Sequence, residues 1–482
     1  MRWDLRSWIE NVKELGLLRE VRGADWHLEI GAITDLNAKN GKYTLLFDEI
    51  KGYPKGFRIL TGALLDSRRV ALALGLPDTI DDLELVTALK NRMSTLTDSL
   101  KEYAPKHVNQ AVFQENTMTD DDVDVLKFPA PKWMPQDGGR YIGTADVVVT
   151  KDPETGWVNV GTYRVMIQDS RTLTVFIEAP RHAKLIVEKY WRRGEKCPIA
   201  ISLGHHPLIQ LFAGIEVPPN ISEYAYAGAI AGASYEIAEA PLTKLPVPAE
   251  SEVLIEGWLS QDTQREGPLG EFVGYYASGV TQSPTIKVAA IHYRDDPIML
   301  ATCAGRPPYD YSYFRCPLRS AMIWDILEKA GIPGVRAVWC HEAGYSRAFT
   351  VVSIKQVFAG QDRMAGYVAS QCRPGAIAGR YVIVVDEDID PTNLNEVVWA
   401  MCTRVDPARD VEVIRDTVGT PLDPVTEHEP GKKLEEYTSS RMLVFATKPF
   451  SKLVKGEFPM VVEPDEQTIK RVTAKWGDLF PK

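Results

Sequence analysis

Two glutamates flank a bend that a plain strand or helix would not need: Glu266-Gly-Pro-Leu-Gly-Glu271, running on into Phe-Val-Gly-Tyr-Tyr276. Gly267, Pro268 and Gly270 supply turn geometry, so the segment reads as a rigid turn presenting two acids. Its neighbours Leu269, Phe272, Val273, Tyr275 and Tyr276 are apolar or aromatic and are expected to bury the bend. A buried carboxylate requires a cationic partner or a proton. Upstream, Asn159-Val-Gly-Thr-Tyr-Arg164 puts a permanent cation on a strand-like run covering residues 159–168. The expectation is that Arg164 meets both acids. One acid paired with the arginine and a second that can hold a proton would make a general-acid site.

Asn159, His182 and Glu239 are further oxygen and nitrogen donors, but their spacing alone names no metal. Singly they read as a turn asparagine, a helix-start histidine and an exposed glutamate, and Arg164 reads equally as a surface arginine on an edge strand. The histidines at 27, 107, 205, 206, 292, 341 and 428 lack ligand spacing and are assigned to structure or solvent. No Gly-x-Gly-x-x-Gly follows a strand and there is no Walker loop, which removes the main support for a dinucleotide dehydrogenase or a nucleotide triphosphatase. A Gly-x-Ser-x-Gly elbow is likewise missing.

The elements that must position these residues follow from periodicity. A chain of 482 residues is too long for one core and implies two or three domains. Leu5, Trp8, Ile9, Val12 and Leu15 share one helix face, and residues 43–63 read as two strands around the Gly52–Gly56 turn, so an α/β unit spans 1–115. Short β-rich runs from 116 to 305, with helices at His182–Arg192 and Glu223–Ala231, suggest a barrel. A helix at Arg319–Ala330 lies in a linking region, 306–331. Alternating strands and helices over 332–482 indicate a second α/β domain, closed by an amphipathic helix at Pro464–Trp476 that is expected to dock on a neighbouring subunit.

A net charge of −10 argues against a nucleic-acid partner. The six cysteines are scattered without a Cys-x-x-Cys pair and read as reduced thiols. Neither a secretory signal nor a membrane-length apolar stretch is present, so a cytoplasmic location is expected.

These residues resemble the UbiD-type decarboxylases along nearly the whole chain. The resemblance is carried by Asp137-Gly-Gly-Arg-Tyr-Ile142, Asn159-Val-Gly-Thr-Tyr-Arg164, Glu266-Gly-Pro-Leu-Gly-Glu271 and Trp399-Ala-Met-Cys-Thr-Arg404, in that order. It implies a mixed α/β (α+β) fold: an N-terminal α/β domain, a central split β-barrel that binds prenylated FMN, a linker helix, and a C-terminal α/β oligomerisation domain. It also implies reversible, non-oxidative decarboxylation of an aromatic or heteroaromatic acid through a covalent substrate–cofactor adduct. Glu271 would be the proton donor and Arg164–Glu266 the supporting ion pair.

The same resemblance implies cofactor contacts from Asn159, Thr162, Tyr163, Arg164, Arg181, His182 and Glu239. Manganese would be held by Asn159, His182 and Glu239, and potassium largely by backbone carbonyls in the neighbourhood of residues 212–215 together with Glu239, its ligands unassigned. A flavin prenyltransferase would supply the cofactor, CO2 would be co-product or co-substrate, and the assembly would be a homodimer or homohexamer. The physical logic is independent of the family: loss of CO2 leaves an electron pair that needs a sink no side chain provides. Pocket residues are expected from Arg306–Arg315 and from the loop 420–437, which favours a hydroxybenzoate-like or a pyrrole, furan or indole acid over a cinnamate. The alternatives are a split-barrel FMN oxidoreductase and a non-catalytic subunit of a multi-subunit carboxylase.

Overall fold

The computed structural model describes residues 3–177, 181–215, 217–426 and 436–479. Glu178, His428 and the 427–435 part of the expected pocket loop lie outside them. The first helix, Leu5–Glu14, begins where Asp4 accepts a hydrogen bond from Ser7 N at 3.0 Å, and it buries Leu5, Trp8, Ile9 and Val12. Side-chain capping at the start and an apolar stripe along one face are what fix such a helix on a sheet. That sheet runs Leu18–Arg22, Thr44–Asp48, Arg58–Thr61, and is completed by Ile298–Leu300, parallel to Arg58–Thr61. The central segment expected at 116–305 therefore returns a strand to the N-terminal sheet.

The central sheet has nine strands and curls into a half-barrel. From one edge to the other its main path is Tyr141–Gly143, Val165–Ile167, Thr172–Val175, Thr281–Tyr293, Val253–Glu266, Cys197–Leu203, Val147–Lys151 and Val158–Gly161. Alternation along Val147–Lys151 sends Val147 and Val149 into one apolar cluster and Val148 into the other, as a two-sided buried strand requires. The expected single strand over 159–168 is two strands. Val158–Gly161 and Val165–Ile167 lie toward opposite ends of the sheet order, so residues 162–164 cross the opening of the curl. Thr162 N donates to Ala213 O at 3.1 Å instead of to a strand partner, which ends the first strand before Arg164.

Helix Arg315–Lys329, starting four residues before the expected helix, carries the chain to a C-terminal five-stranded sheet ordered Val335–Cys340, Phe349–Ile354, Tyr381–Asp386, Thr438–Ala446, Val411–Val418. It is held to the N-terminal unit by Lys90 Nζ to Glu328 Oε1 at 3.0 Å and to the C-terminal unit by Arg319 Nη1 donating to Pro374 O at 3.1 Å. The last helix, Glu466–Trp476, buries none of its residues, and Ile469 and Trp476 are each about half exposed. All six cysteines are free thiols, and no helix among the described residues is long and apolar enough to cross a membrane.

One buried acid makes the fold sensitive to pH. Glu250 accepts from His206 N and from the Tyr235 hydroxyl, and burial pushes its carboxyl up to about 8. The folded chain then holds a proton that the unfolded chain releases from pH ~4.5 upward, so stability falls as pH rises from there to about 8. Glu250→Gln keeps both hydrogen bonds and removes the titration. Melting temperature against pH should flatten over that window, with a gain on the order of a few kcal/mol at its upper end; parallel curves for the two proteins would contradict this origin.

Candidate active site

The strand Val253–Glu266 ends on Glu266, and the bend after it is built by close backbone approach. A Cβ on Gly138 would lie 1.9 Å from Gly267 O, and one on Gly267 would lie 2.5 Å from Gly279 O. Only glycine fits at such contacts. Gly138 N also donates to Pro268 O at 2.8 Å. The Asp137-Gly-Gly139 motif and the Glu266–Glu271 bend are thus two halves of one backbone assembly. Leu269 and Val273 are buried as expected, whereas Tyr275 is 62% exposed and takes no part in desolvating the acids.

Arg164, crossing the open side of the half-barrel, reaches both glutamates. Its Nε donates to Glu266 Oε1 at 2.9 Å, Nη2 to Glu266 Oε2 at 2.7 Å, and Nη1 to Glu271 Oε1 at 2.5 Å. Phe176 lies under the guanidinium, 4.0 Å from ring centroid to Cζ. The two acids differ in what else they meet. Glu266 is fully buried and also accepts from Tyr141 Oη at 2.9 Å and Thr281 Oγ1 at 3.3 Å. Four donors on two oxygens suit a permanent anion. Glu271 has Arg164 and the Ser278 hydroxyl, and its side chain is 13% exposed. Burial raises its carboxyl above the ordinary range, against the opposing pull of Arg164. One cation facing two buried carboxylates leaves a surplus negative charge, and a proton on Glu271 removes it.

The site opens into a cavity of about 730 Å³ whose wall includes Asn159, Thr162, Tyr163, Arg164, Arg181, His182 and Glu271. Six of the seven residues expected to contact a cofactor therefore share one cavity. The seventh, Glu239, does not join them. It closes the short strand Glu236–Glu239, is 63% exposed, and pairs with Lys244 at 3.2 Å.

The acid that stands beside Asn159 is Glu223. It is the first residue of helix Glu223–Ala231, which packs on strand Val158–Gly161. Its carboxylate accepts from Asn159 Nδ2 at 2.9 Å and Val160 N at 2.7 Å. Burial pushes it up to about 8, which leaves a buried carboxylate with two neutral donors and no cation. His182 begins helix His182–Arg192 at the same wall, and burial, with Arg373 beside it, lowers its affinity for a proton. Among the described residues no group of three or more His, Cys, Asp or Glu side chains is disposed to hold a metal. Thr281, Ser278 and Glu223 were not singled out by sequence reasoning, and Tyr141 entered only as a member of the Asp137–Ile142 motif, without a role. For Glu223 a signal existed, an acid at the first position of a legible helix; for Thr281 and Ser278 there was none.

Family models match three consecutive segments: the 3-octaprenyl-4-hydroxybenzoate carboxy-lyase N-terminal domain over residues 9–89, its Rift-related domain over 106–307, and its C-terminal domain over 312–446. The chain is 33% identical over 422 residues to a pyrrole-2-carboxylic acid decarboxylase of Pseudomonas aeruginosa, covering 84% of each protein. It is 34% identical over 465 residues to a phenolic acid decarboxylase of a Streptomyces species, covering 94% of each. Among solved structures, the enzyme HmfF from Pelotomaculum thermopropionicum in complex with FMN superposes with a TM-score of 0.83 at 26% identity, over 98% of this chain and 99% of that one. An evolved dimeric form of that enzyme in complex with prFMN gives a TM-score of 0.80 at 25% identity, over 96% and 97%.

Proposed function

The chain belongs to the UbiD family of carboxy-lyases, and from that premise we propose that it reversibly decarboxylates an aromatic or heteroaromatic acid, with Glu271 as the proton donor. The observation that carries this reading is the asymmetry of the two acids on Arg164. Glu266 is saturated with donors and holds the guanidinium in place, while Glu271 meets the cavity with a raised proton affinity.

When bound, prenylated FMN supplies the sink for the electron pair left by the departing CO2. The chain's own work is then positioning and proton transfer. As CO2 leaves, the carbon that carried it must gain a proton; the Glu271 carboxyl gives one and becomes a carboxylate stabilised by Arg164 Nη1 and Ser278. Its partial exposure lets water restore the proton. In the carboxylation direction the same carboxylate takes the ring proton.

The residues present fit a cofactor with a phosphate and a divalent ion. Glu223, a buried acid lacking a cation, the amide oxygen of Asn159 and the imidazole of His182 are a donor set suited to a hard metal such as manganese. Glu223 takes the part expected of Glu239. Thr162, Tyr163, Arg181 and Arg373 would complete the cofactor's surroundings. The backbone at Ala213, Gly214 and Ile215, which lines the cavity, offers carbonyls of the kind potassium requires. The exposed apolar side of helix Glu466–Trp476 favours assembly into a homo-oligomer.

Protein co-produced with a flavin prenyltransferase should release prenylated FMN, identified by absorbance and intact mass, and should liberate CO2 from members of an aromatic-acid panel. Plain FMN or no flavin in both preparations would sink the proposal and favour the oxidoreductase or the non-catalytic subunit. Within that experiment, Glu223→Gln is expected to lose manganese, measured by elemental analysis of the purified protein, while Glu239→Gln retains it; the opposite pattern would return the metal to Glu239.

A further inference from the structure

The cavity holds a cation that no carboxylate of the described residues neutralises. Arg315 lines it from the first position of helix Arg315–Lys329. Its guanidinium stacks over Tyr311, 4.4 Å from Cζ to ring centroid, and lies 5.3 Å from Phe314. Its Nη1 makes one long hydrogen bond, 3.4 Å to Tyr309 Oη, and its Nε is buried without a partner. No carboxylate of the described residues pairs with it. The helix starts without a side-chain cap and without an acidic residue in its first turn, so the helix dipole adds to the positive potential.

Other inward-facing guanidiniums are matched, either by carboxylates (Arg69 by Asp66, Arg404 by Asp386 and Asp388, Arg294 by Glu252) or by several backbone carbonyls (Arg441 by those of Ser370, Ala376 and Val418), and Arg315 has neither among the described residues. A guanidinium stays charged at any pH a protein tolerates. Stacking on an aromatic face contributes less than the desolvation of an unpaired charge costs. Such a group in a cavity wall, with no counter-charge among the described residues, suits an anion from outside the chain.

Tyr309 links this cation to the acid at the other part of the cavity. Its phenol, buried and pushed up to about 12, feels Arg315 most strongly among charged groups, with Arg347 and Glu271 also in range. Arg164, Glu271, Tyr309 and Arg315 all line the one cavity, so a ligand that presents one group to Glu271 and Arg164 can present another to Arg315.

We propose that Arg315, with the Tyr309 hydroxyl, selects ring acids that carry a second anionic oxygen group besides the carboxylate that is removed. This rests on the decarboxylase reading for what is done to the ligand, but not for its binding. Neutral substituents cannot match the guanidinium, and a charge-assisted hydrogen bond outweighs a neutral one by enough to set selectivity. Arg373, which lines the same cavity and acts electrostatically on His182, would meet the cofactor's phosphate.

The test is titration calorimetry on the cofactor-free full chain with two matched pairs: isophthalate against 3-carbamoylbenzoate, and terephthalate against 4-carbamoylbenzoate. Each pair differs in charge and hardly in shape. In at least one pair the dianion should bind roughly 10- to 100-fold more tightly, as expected for a hydrogen bond to a charged group. Arg315→Met should bring that ratio to about one, and Arg315→Lys should restore part of it. If Arg315→Met folds poorly, Tyr309→Phe should lower the same ratio by a smaller factor.

No dianion preference in either pair overturns the proposal. So does a preference that survives Arg315→Met. FMN affinity is measured on the same proteins: a loss of FMN binding with an unaltered dianion ratio would assign Arg315 to an anionic group of the cofactor instead. Because binding is read without turnover, failure of the decarboxylase reading leaves this outcome legible, and the reverse also holds.

Discussion

Glu271→Gln is expected to lower CO2 release by roughly 10² to 10⁴-fold, the usual contribution of a positioned general acid, while the protein folds and retains flavin. The amide matches the carboxyl in shape, and its oxygen can still accept from Arg164 Nη1, which now donates to Glu271 Oε1 at 2.5 Å. What it cannot do is give up a proton. Glu271→Asp should recover part of the rate with its own pH profile. Since burial raises the Glu271 carboxyl, decarboxylation should decline on the alkaline side of that raised value, and this limb should vanish in the glutamine variant. Turnover within a few fold of the wild type, with the alkaline limb intact, would mean the proton comes from another group.

Arg164→Met should be the most damaging single change to the site, because it alters stability as well as rate. It leaves Glu266 fully buried with only the Tyr141 and Thr281 hydroxyls. Removing one partner of a buried ion pair typically costs about 3–5 kcal/mol. A clear drop in melting temperature at neutral pH is expected, and the drop should shrink toward acidic pH as the orphaned carboxylates take up protons. The double variant Arg164→Met/Glu266→Gln should regain stability without regaining activity, since Glu271 then lacks the cation it pairs with in its deprotonated form. A single variant that melts like the wild type at neutral pH would show that the ion pair carries neither load.

The three residues that the resemblance offers to a metal show where reading a sequence stops. Asn159 and His182 line one cavity, as expected of them. Glu239 does not join them, and Glu223 stands beside Asn159 instead. Glu239 and Glu223 are equally plausible in one dimension, and the choice depends on helix Glu223–Ala231 packing against strand Val158–Gly161, which delivers Glu223 to Asn159 Nδ2 at 2.9 Å and leaves Glu239 on an exposed strand beside Lys244. The expected strand over 159–168 failed for a related reason. Period-two alternation continues through residues 162–164, but whether a strand keeps its partner is decided by the curvature of the whole sheet.

Sequence alone determined the class of elements, the bend built on Gly267, Pro268 and Gly270, the meeting of Arg164 with two acids, and the family. These follow from short-range rules: side-chain period, turn stereochemistry, and the need of a buried charge for its opposite. The resemblance named Glu271 as the proton donor, and only the tertiary structure supplied the physical difference between the two acids, since Tyr141, Thr281 and Ser278 arrive from distant strands and loops. The tertiary structure alone left Arg315 facing a cavity without a counter-charge among the described residues. Donor count and burial are sums over neighbours in space, and a linear chain does not contain that sum until the half-barrel has closed on it.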